Sequence, residues 1–290
     1  MGILFGLLTA VTWGASDFIA RFATQRIGAM RTMLYMQGIG FCLLSLFLLR
    51  FHQWGHLFDG SGWQPWGWGL LAGCVNTFST LTLYRSFEIG KLSIVAPLSA
   101  SSPVLTVLLS VLSGERLTAA RICGIVAALL GVMLVAGGEK TPDQADADAM
   151  RRSGKGIVWA LCAAVGFGVL FWLLGMRTVP RTGAFAAVWL IRMTGFTITL
   201  AILLIRKLPI RAPFGRVTMQ LAGMGVMDTS AFVLNNRGFQ VEQISVVSVL
   251  ASLYGAVTVA LAAVFLREQV SKWQWVGIAA IFAGIYLISR

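Results

Sequence analysis

Ten stretches of 17 to 23 predominantly apolar residues, each bounded by charged or turn-forming residues, run through the sequence from end to end. They fall roughly at 3–20, 32–49, 65–84, 92–113, 119–137, 156–174, 184–205, 217–235, 244–266 and 272–288. A bilayer's hydrocarbon takes about 20 helical residues to cross, and within it every backbone polar group must be bonded inside the element. The expected fold is therefore an all-α integral membrane protein with ten transmembrane helices. Only 12% of the 290 residues are charged and the mean hydropathy is +0.80, against roughly one-quarter charged in soluble chains. The net charge of +12 comes from Lys and Arg scattered between the apolar runs. That pattern fits loops against anionic headgroups rather than a nucleic-acid face. Met1 to Ala20 contains no Lys or Arg, so it lacks the basic start of a cleavable signal and is expected to remain as the first span. Cys42, Cys74, Cys123 and Cys162 lie inside apolar runs without metal-ligand spacing, with only His52 and His56 as histidine partners. They read as small buried hydrophobes, and neither metal nor cofactor is expected.

The chain repeats itself. Arg85 to Val95 (RSFEIGKLSIV) matches Arg237 to Val247 (RGFQVEQISVV) at a shift of 152. Glu115, Gly124, Ile125, Ala127 and Gly131 match Glu268, Gly277, Ile278, Ala280 and Gly284 at 153. Ala10, Val11 and Trp13-Gly14 match Ala164, Val165 and Phe167-Gly168 at 154, and Arg26, Gly28, Ala29 and Gly40 match Arg181, Gly183, Ala184 and Gly195 at 155. A near-constant shift from first span to last marks a duplication. The expected division is a first repeat at 1–137, a polar linker at 138–154 carrying Glu139, Asp143, Asp146 and Asp148, and a second repeat at 155–290. Five spans is an odd number, so the second copy enters the membrane from the opposite side. Such inverted repeats are a recurrent plan of secondary transporters, which rock two near-equivalent halves about one midplane site.

Trp13-Gly14 in the first span, Pro97 and Pro103 in the fourth, Gly114-Glu115-Arg116-Leu117-Thr118 before the fifth, and Gly124 to Gly131 within it form a pattern that resembles the EamA domain of the drug/metabolite transporter superfamily. The likeness covers nearly the whole chain, twice. It implies ten helices around a central cavity and transport of amino acids, drugs or other metabolites. The second copy has Leu250 and Ala256 where the prolines align and Arg267-Glu268-Gln269 in place of Gly-Glu-Arg. Helix breaking is therefore expected to be asymmetric.

A charge at membrane depth costs at least about 2.5 kcal/mol, so each one asks for a partner or a purpose. Asp228 falls mid-span and aligns with Asn76, each followed by threonine. It reads either as a cavity residue or as the ion-pair partner of Arg192 in the seventh span. Asp17 shares a helical face with Trp13 and Arg21, and reads as a cavity carboxylate or as half of an interfacial pair with Arg21. Arg31 is expected to snorkel to headgroups. Ser99 and Ser102 flank prolines that free backbone carbonyls, a role hydroxyls can fill. Ser248, Ser252 and Tyr254 occupy the matching region of the ninth span, while Tyr84, Asn235 and Asn236 read as interfacial anchors. Glu115 and Glu268 read as helix caps. Gly154-Lys155 lacks the glycine of a phosphate loop, since Ala149 stands there. The candidate substrate-binding set is Trp13, Asp17, Asn76, Ser99, Ser102, Arg192, Asp228, Ser252 and Tyr254, with Asp228 as the proton-coupling residue.

The expected function is secondary active transport of small polar metabolites by alternating access, in a monomer of the bacterial inner membrane, with a small-molecule substrate and membrane lipids as its partners and no nucleic acid. An intramembrane lipid-modifying enzyme and a passive channel are the alternatives. Seven Lys and Arg lie on the side of the N-terminus and fifteen on the other. By the positive-inside rule both termini lie outside, whereas the family resemblance implies both inside.

Overall fold

A computed structural model describes residues 1–90, 92–137, 147–211, 214–266 and 272–288. These are helices joined by short connections. In chain order they are α1 (Gly2–Ile27), α2 (Ala29–Phe51), α3 (Gln64–Ile89), α4 in two segments (Leu92–Ser99 and Pro103–Leu112) and α5 (Ala119–Gly137). Then follow α6 (Ala147–Leu173, continued through Leu174–Thr178 to Val179–Thr182), α7 (Ala184–Ile205), α8 (Arg216–Val241), α9 in two segments (Ile244–Ala251 and Tyr254–Leu266) and α10 (Lys272–Ile288). Six of these, among the described residues, are by themselves long and apolar enough to cross hydrocarbon; the second segment of α4 and the described parts of α5 and α10 are shorter apolar helices. Most of the expected linker, 138–146, and the Arg267-Glu268-Gln269 departure lie outside the described residues.

The packing carries the duplication into three dimensions. α1 lies along α8, and its repeat counterpart α6 lies along α3. α2 packs on its own counterpart α7, and α5 on α10. Contacts between counterparts are what an inverted pair of halves makes around a two-fold axis. At the α5–α10 crossing, a Cβ on Gly124 would sit 2.8 Å from the Gly284 carbonyl, and one on Gly131 would sit 2.6 Å from that of Gly277. The repeated glycines thus let the two backbones touch. The turns from α1 to α2 and from α6 to α7 match as well: Gly28 has φ 84° and Gly183 has φ 91°, values that only glycine adopts without strain.

Two local features depart from plain repetition. The shift grows from 154 at Gly168 to 155 at Arg181, so α6 holds one more residue than α1 over this stretch. Leu174–Thr178 is a π-helical turn, the form in which a helix absorbs a single extra residue. The breaks in α4 and α9, by contrast, are copied. α9 is interrupted at Ser252–Leu253 with no proline there, which corrects the expectation of asymmetric breaking. Around the breaks, the hydroxyls of Ser99, Ser101 and Ser252 donate to the carbonyls of Ala96, Leu98 and Val249.

Three further expectations change. Cys42, Cys74 and Cys123 are exposed and Cys162 half-buried, so they face outward rather than into a protein core. α1, α3 and α8 run beyond their apolar stretches to Ile27, Ile89 and Val241, because a helix continues past the hydrocarbon wherever its ends still pack. Tyr84, Asn235 and Asn236 are consequently interior residues, 2%, 0% and 0% exposed, and not interfacial anchors.

Candidate functional site

The interior charge sits on the two-fold axis. Gln37 of α2 and Arg192 of α7 hold the same place in the two repeats at a shift of 155, and the Arg192 guanidinium Nη1 donates to Gln37 Oε1 at 2.9 Å. Glycines at matching places make the room: a Cβ on Gly195 would lie 2.6 Å from the Gln37 amide, and one on Gly40 would lie 2.9 Å from Arg192 Cδ. Arg192 is wholly buried. Its Nη2 lies 2.6 Å from Asp228 Oδ2, an ion-pair distance without the alignment of a hydrogen bond. Met36 Sδ accepts from Nη1 at 3.2 Å, and the guanidinium lies 4.9 Å from the centre of the Phe232 ring. Charge, hydrogen bond and ring face together meet the cost of placing this cation at membrane depth.

Beside this cluster is a narrow cavity, with about 30 Å³ open to the centre of a water molecule, half-way along α1 and α8. α1 gives it Trp13 and Asp17, and α3 gives Thr80, Leu83 and Tyr84. From the other repeat, α6 gives Phe167 and Phe171, α8 gives Asp228 and Phe232, and α9 gives Tyr254. Trp13 is the hub of its rings, with centroids 5.4 Å from Phe171, 5.0 Å from Phe232 and 6.1 Å from Tyr254. The Tyr254 hydroxyl donates to Ser99 Oγ at 3.3 Å, joining the breaks of α9 and α4.

Of the expected set, Trp13, Asp17, Asp228 and Tyr254 line the cavity. Arg192 and Ser99 stand behind it, bonded to lining residues. Asn76, Ser102 and Ser252 are buried but do not line it; the Asn76 amide oxygen accepts from Thr80 at 3.5 Å while its nitrogen is unpartnered. Asp17 does not pair with Arg21, which donates instead to the carbonyls of Phe87 and Gly90 at the C-terminal end of α3, where the helix dipole favours a cation. Arg31 reaches the Arg211 carbonyl in the α7–α8 connection.

At the end of the bundle that holds Met1, a polar cluster ties the repeats together. Arg121 of α5 donates to Glu242 Oε1 at 3.0 Å and to the Gln243 side chain, whose Nε2 donates to the Arg116 carbonyl at 2.8 Å. Glu115 caps a helix, as expected, but the helix is α9 of the other repeat: the Ser245 backbone N–H donates to Glu115 Oε1 at 3.2 Å. Burial pushes the Glu115 carboxyl up, with the Ser245 bond pulling the other way. In the α2–α3 connection, hydrogen bonds from Ser61 and His56 hold Asp59 down at about 2.

A family model described as the EamA-like transporter family matches residues 1–137 and again 154–290. The chain belongs to the EamA-like transporter family. It is a multi-pass membrane transporter of the drug/metabolite superfamily. An uncharacterised protein of Methanocaldococcus jannaschii is 28% identical over 134 residues, which are 46% of this chain and 94% of that one, so the relative is about one EamA-like repeat long. A solved crystal structure matches with a TM-score of 0.77 at 18% identity, covering 99% of this chain and 95% of that one. At that identity the likeness is one of fold.

Several lining residues of this EamA-like cavity carry no mark in the sequence. Phe171 and Phe232 are ordinary members of apolar runs. The repeat shift is the signal that finds them: at 154, Phe171 is the counterpart of Asp17, and at 152, Phe232 is the counterpart of Thr80. Gln37 is likewise reached from Arg192.

Proposed function

We propose that the protein is a secondary active transporter of small polar metabolites, such as amino acids, amines or related compounds, working by alternating access. The observation that supports this reading is a cavity half-way along the helices whose wall is shared by both inverted repeats at matching places: Trp13 and Phe167, Asp17 and Phe171, Thr80 and Phe232. Rocking one repeat against the other would turn that cavity from one side of the membrane to the other. That the described residues of one chain supply the wall supports a monomer as the working unit, in the cell membrane.

Asp228 is the proposed proton-coupling residue. Protonating its Oδ2 would remove the charge that holds Arg192 at 2.6 Å, and the guanidinium would be left with Gln37, Met36 and Phe232. Saturable counterflow of a radiolabelled metabolite in proteoliposomes tests transport; its absence across a broad panel would favour the channel or the enzyme. In the same assay Asp228→Asn is expected to abolish transport and its pH dependence. An unchanged rate and pH profile in a folded variant would leave Asp228 as a structural partner of Arg192.

A further inference from the structure

We infer that the ligand of this cavity is a compact organic monocation, an amine or quaternary ammonium compound, with Asp17 as its counter-ion and the rings around Trp13 as its walls. The inference takes the cavity to be the substrate site of the transport reading and names the class of compound it admits.

Charge balance carries the first part. Three ionisable groups with formal charge at neutral pH meet at the cavity among the described residues: Asp17, Asp228 and, behind the wall, Arg192. Arg192 is taken up by Asp228, Gln37 and Met36. Asp17 is only 6% exposed and lines the cavity, yet it forms no hydrogen bond or ion pair among the described residues. The cation one turn along its own helix, Arg21, is spent on the carbonyls of Phe87 and Gly90. Its electrostatic neighbour is a second carboxylate, Asp228. The cavity therefore holds one carboxyl group more than its own cation can pair, and a bound cation would supply the missing partner.

The walls carry the second part. Trp13, four residues before Asp17, shares its face of α1 and stands among Phe171, Phe232 and Tyr254. Aromatic faces present negative potential to a ligand and attract ammonium groups. The counterpart of Asp17 in the other repeat is Phe171, so the carboxylate stands on one side and rings on the other, an arrangement that orients a cation. A carboxylate ligand would meet two carboxyl groups and ring faces, with no cation among the lining residues. A zwitterion would need Arg192 for its carboxylate, and Arg192 is already engaged. The space open to the centre of a water molecule is only about 30 Å³, which limits the ligand to a compact one.

The test is isothermal titration calorimetry of the full-length protein in nanodiscs with benzyltrimethylammonium, phenylalanine and benzoate. The cation is expected to bind at least about tenfold more tightly than either of the others, and Asp17→Asn to weaken it by about tenfold or more. Asp17→Glu, which keeps the charge, is expected to keep most of the affinity. Equal or tighter binding of benzoate or phenylalanine, no binding of the cation, or cation affinity unchanged in Asp17→Asn would overturn the proposal. The ranking in the unaltered protein stands even if a variant does not fold. Selective cation binding without counterflow would uphold this site and sink the transport reading; counterflow of a carboxylate with no cation preference would do the reverse.

Discussion

Arg192 and Asp228 stand in the second repeat where the first has Gln37 and Asn76, so one half holds an ion pair in the place where the other holds two amides. Breaking a buried pair from one side leaves an uncompensated charge and costs about 3–5 kcal/mol, while replacing both partners can be close to neutral. Arg192→Gln alone is therefore expected to lower the unfolding temperature sharply in detergent. The double variant Arg192→Gln/Asp228→Asn, which copies the first repeat's pair, should recover most of the loss, as read by thermal unfolding with size-exclusion detection. At this scale the sequence was legible where a side chain was out of place. Asp17, Arg192 and Asp228 drew notice because charge is costly in hydrocarbon. Phe171 and Phe232 did not, since a phenylalanine on the cavity and one facing lipid obey the same composition rule. Asn235 and Asn236 were misplaced because their position near a span's end outweighed the packing that buries them.

Among the elements, α6 tests the account of the extra residue. Removing one residue from the π-helical turn at Leu174–Thr178 returns it to α-helix and leaves both flanks facing as before, whereas a deletion inside the regular α1 turns everything after it by about 100°. Deletion of Met176 is thus expected to yield a monodisperse protein at near-normal levels. Deletion of Phe22 is expected to aggregate, and size-exclusion profiles of the two decide the matter. Where spans begin and end was largely written in the apolar runs, and α7 matches its stretch residue for residue. The break in α9 was not, because no proline announces it. It lies where Tyr254 bonds Ser99 of α4 and Thr258 donates to the Gly14 carbonyl at 3.2 Å, contacts between elements far apart in the chain.

For the whole molecule, the odd number of spans gave the inversion, but which helix lies on which could not be read before the counterparts were seen packed together. The same holds for the cluster at the Met1 end, where Glu115 and Arg121 of one repeat meet Glu242, Gln243 and Ser245 of the other. Alternating access requires such a contact to open. Arg121→Ala removes the cation from Glu242 and Gln243 together. In a variant with the native cysteines replaced, Ser245→Cys, at a position now fully buried, is expected to react severalfold faster with a water-soluble maleimide when Arg121→Ala is added. An unchanged rate would mean that the cluster does not hold this end closed.

The bond between Gln37 and Arg192 also bears on ancestry. A two-fold homodimer of a single repeat sets identical residues against each other on its axis. Two arginines so placed would repel without water to shield them, and two glutamines would pair. The arginine is thus a substitution that a symmetric ancestor could not have tolerated and a joined chain can, because fusion lets one copy of a position change while the other stays to receive it.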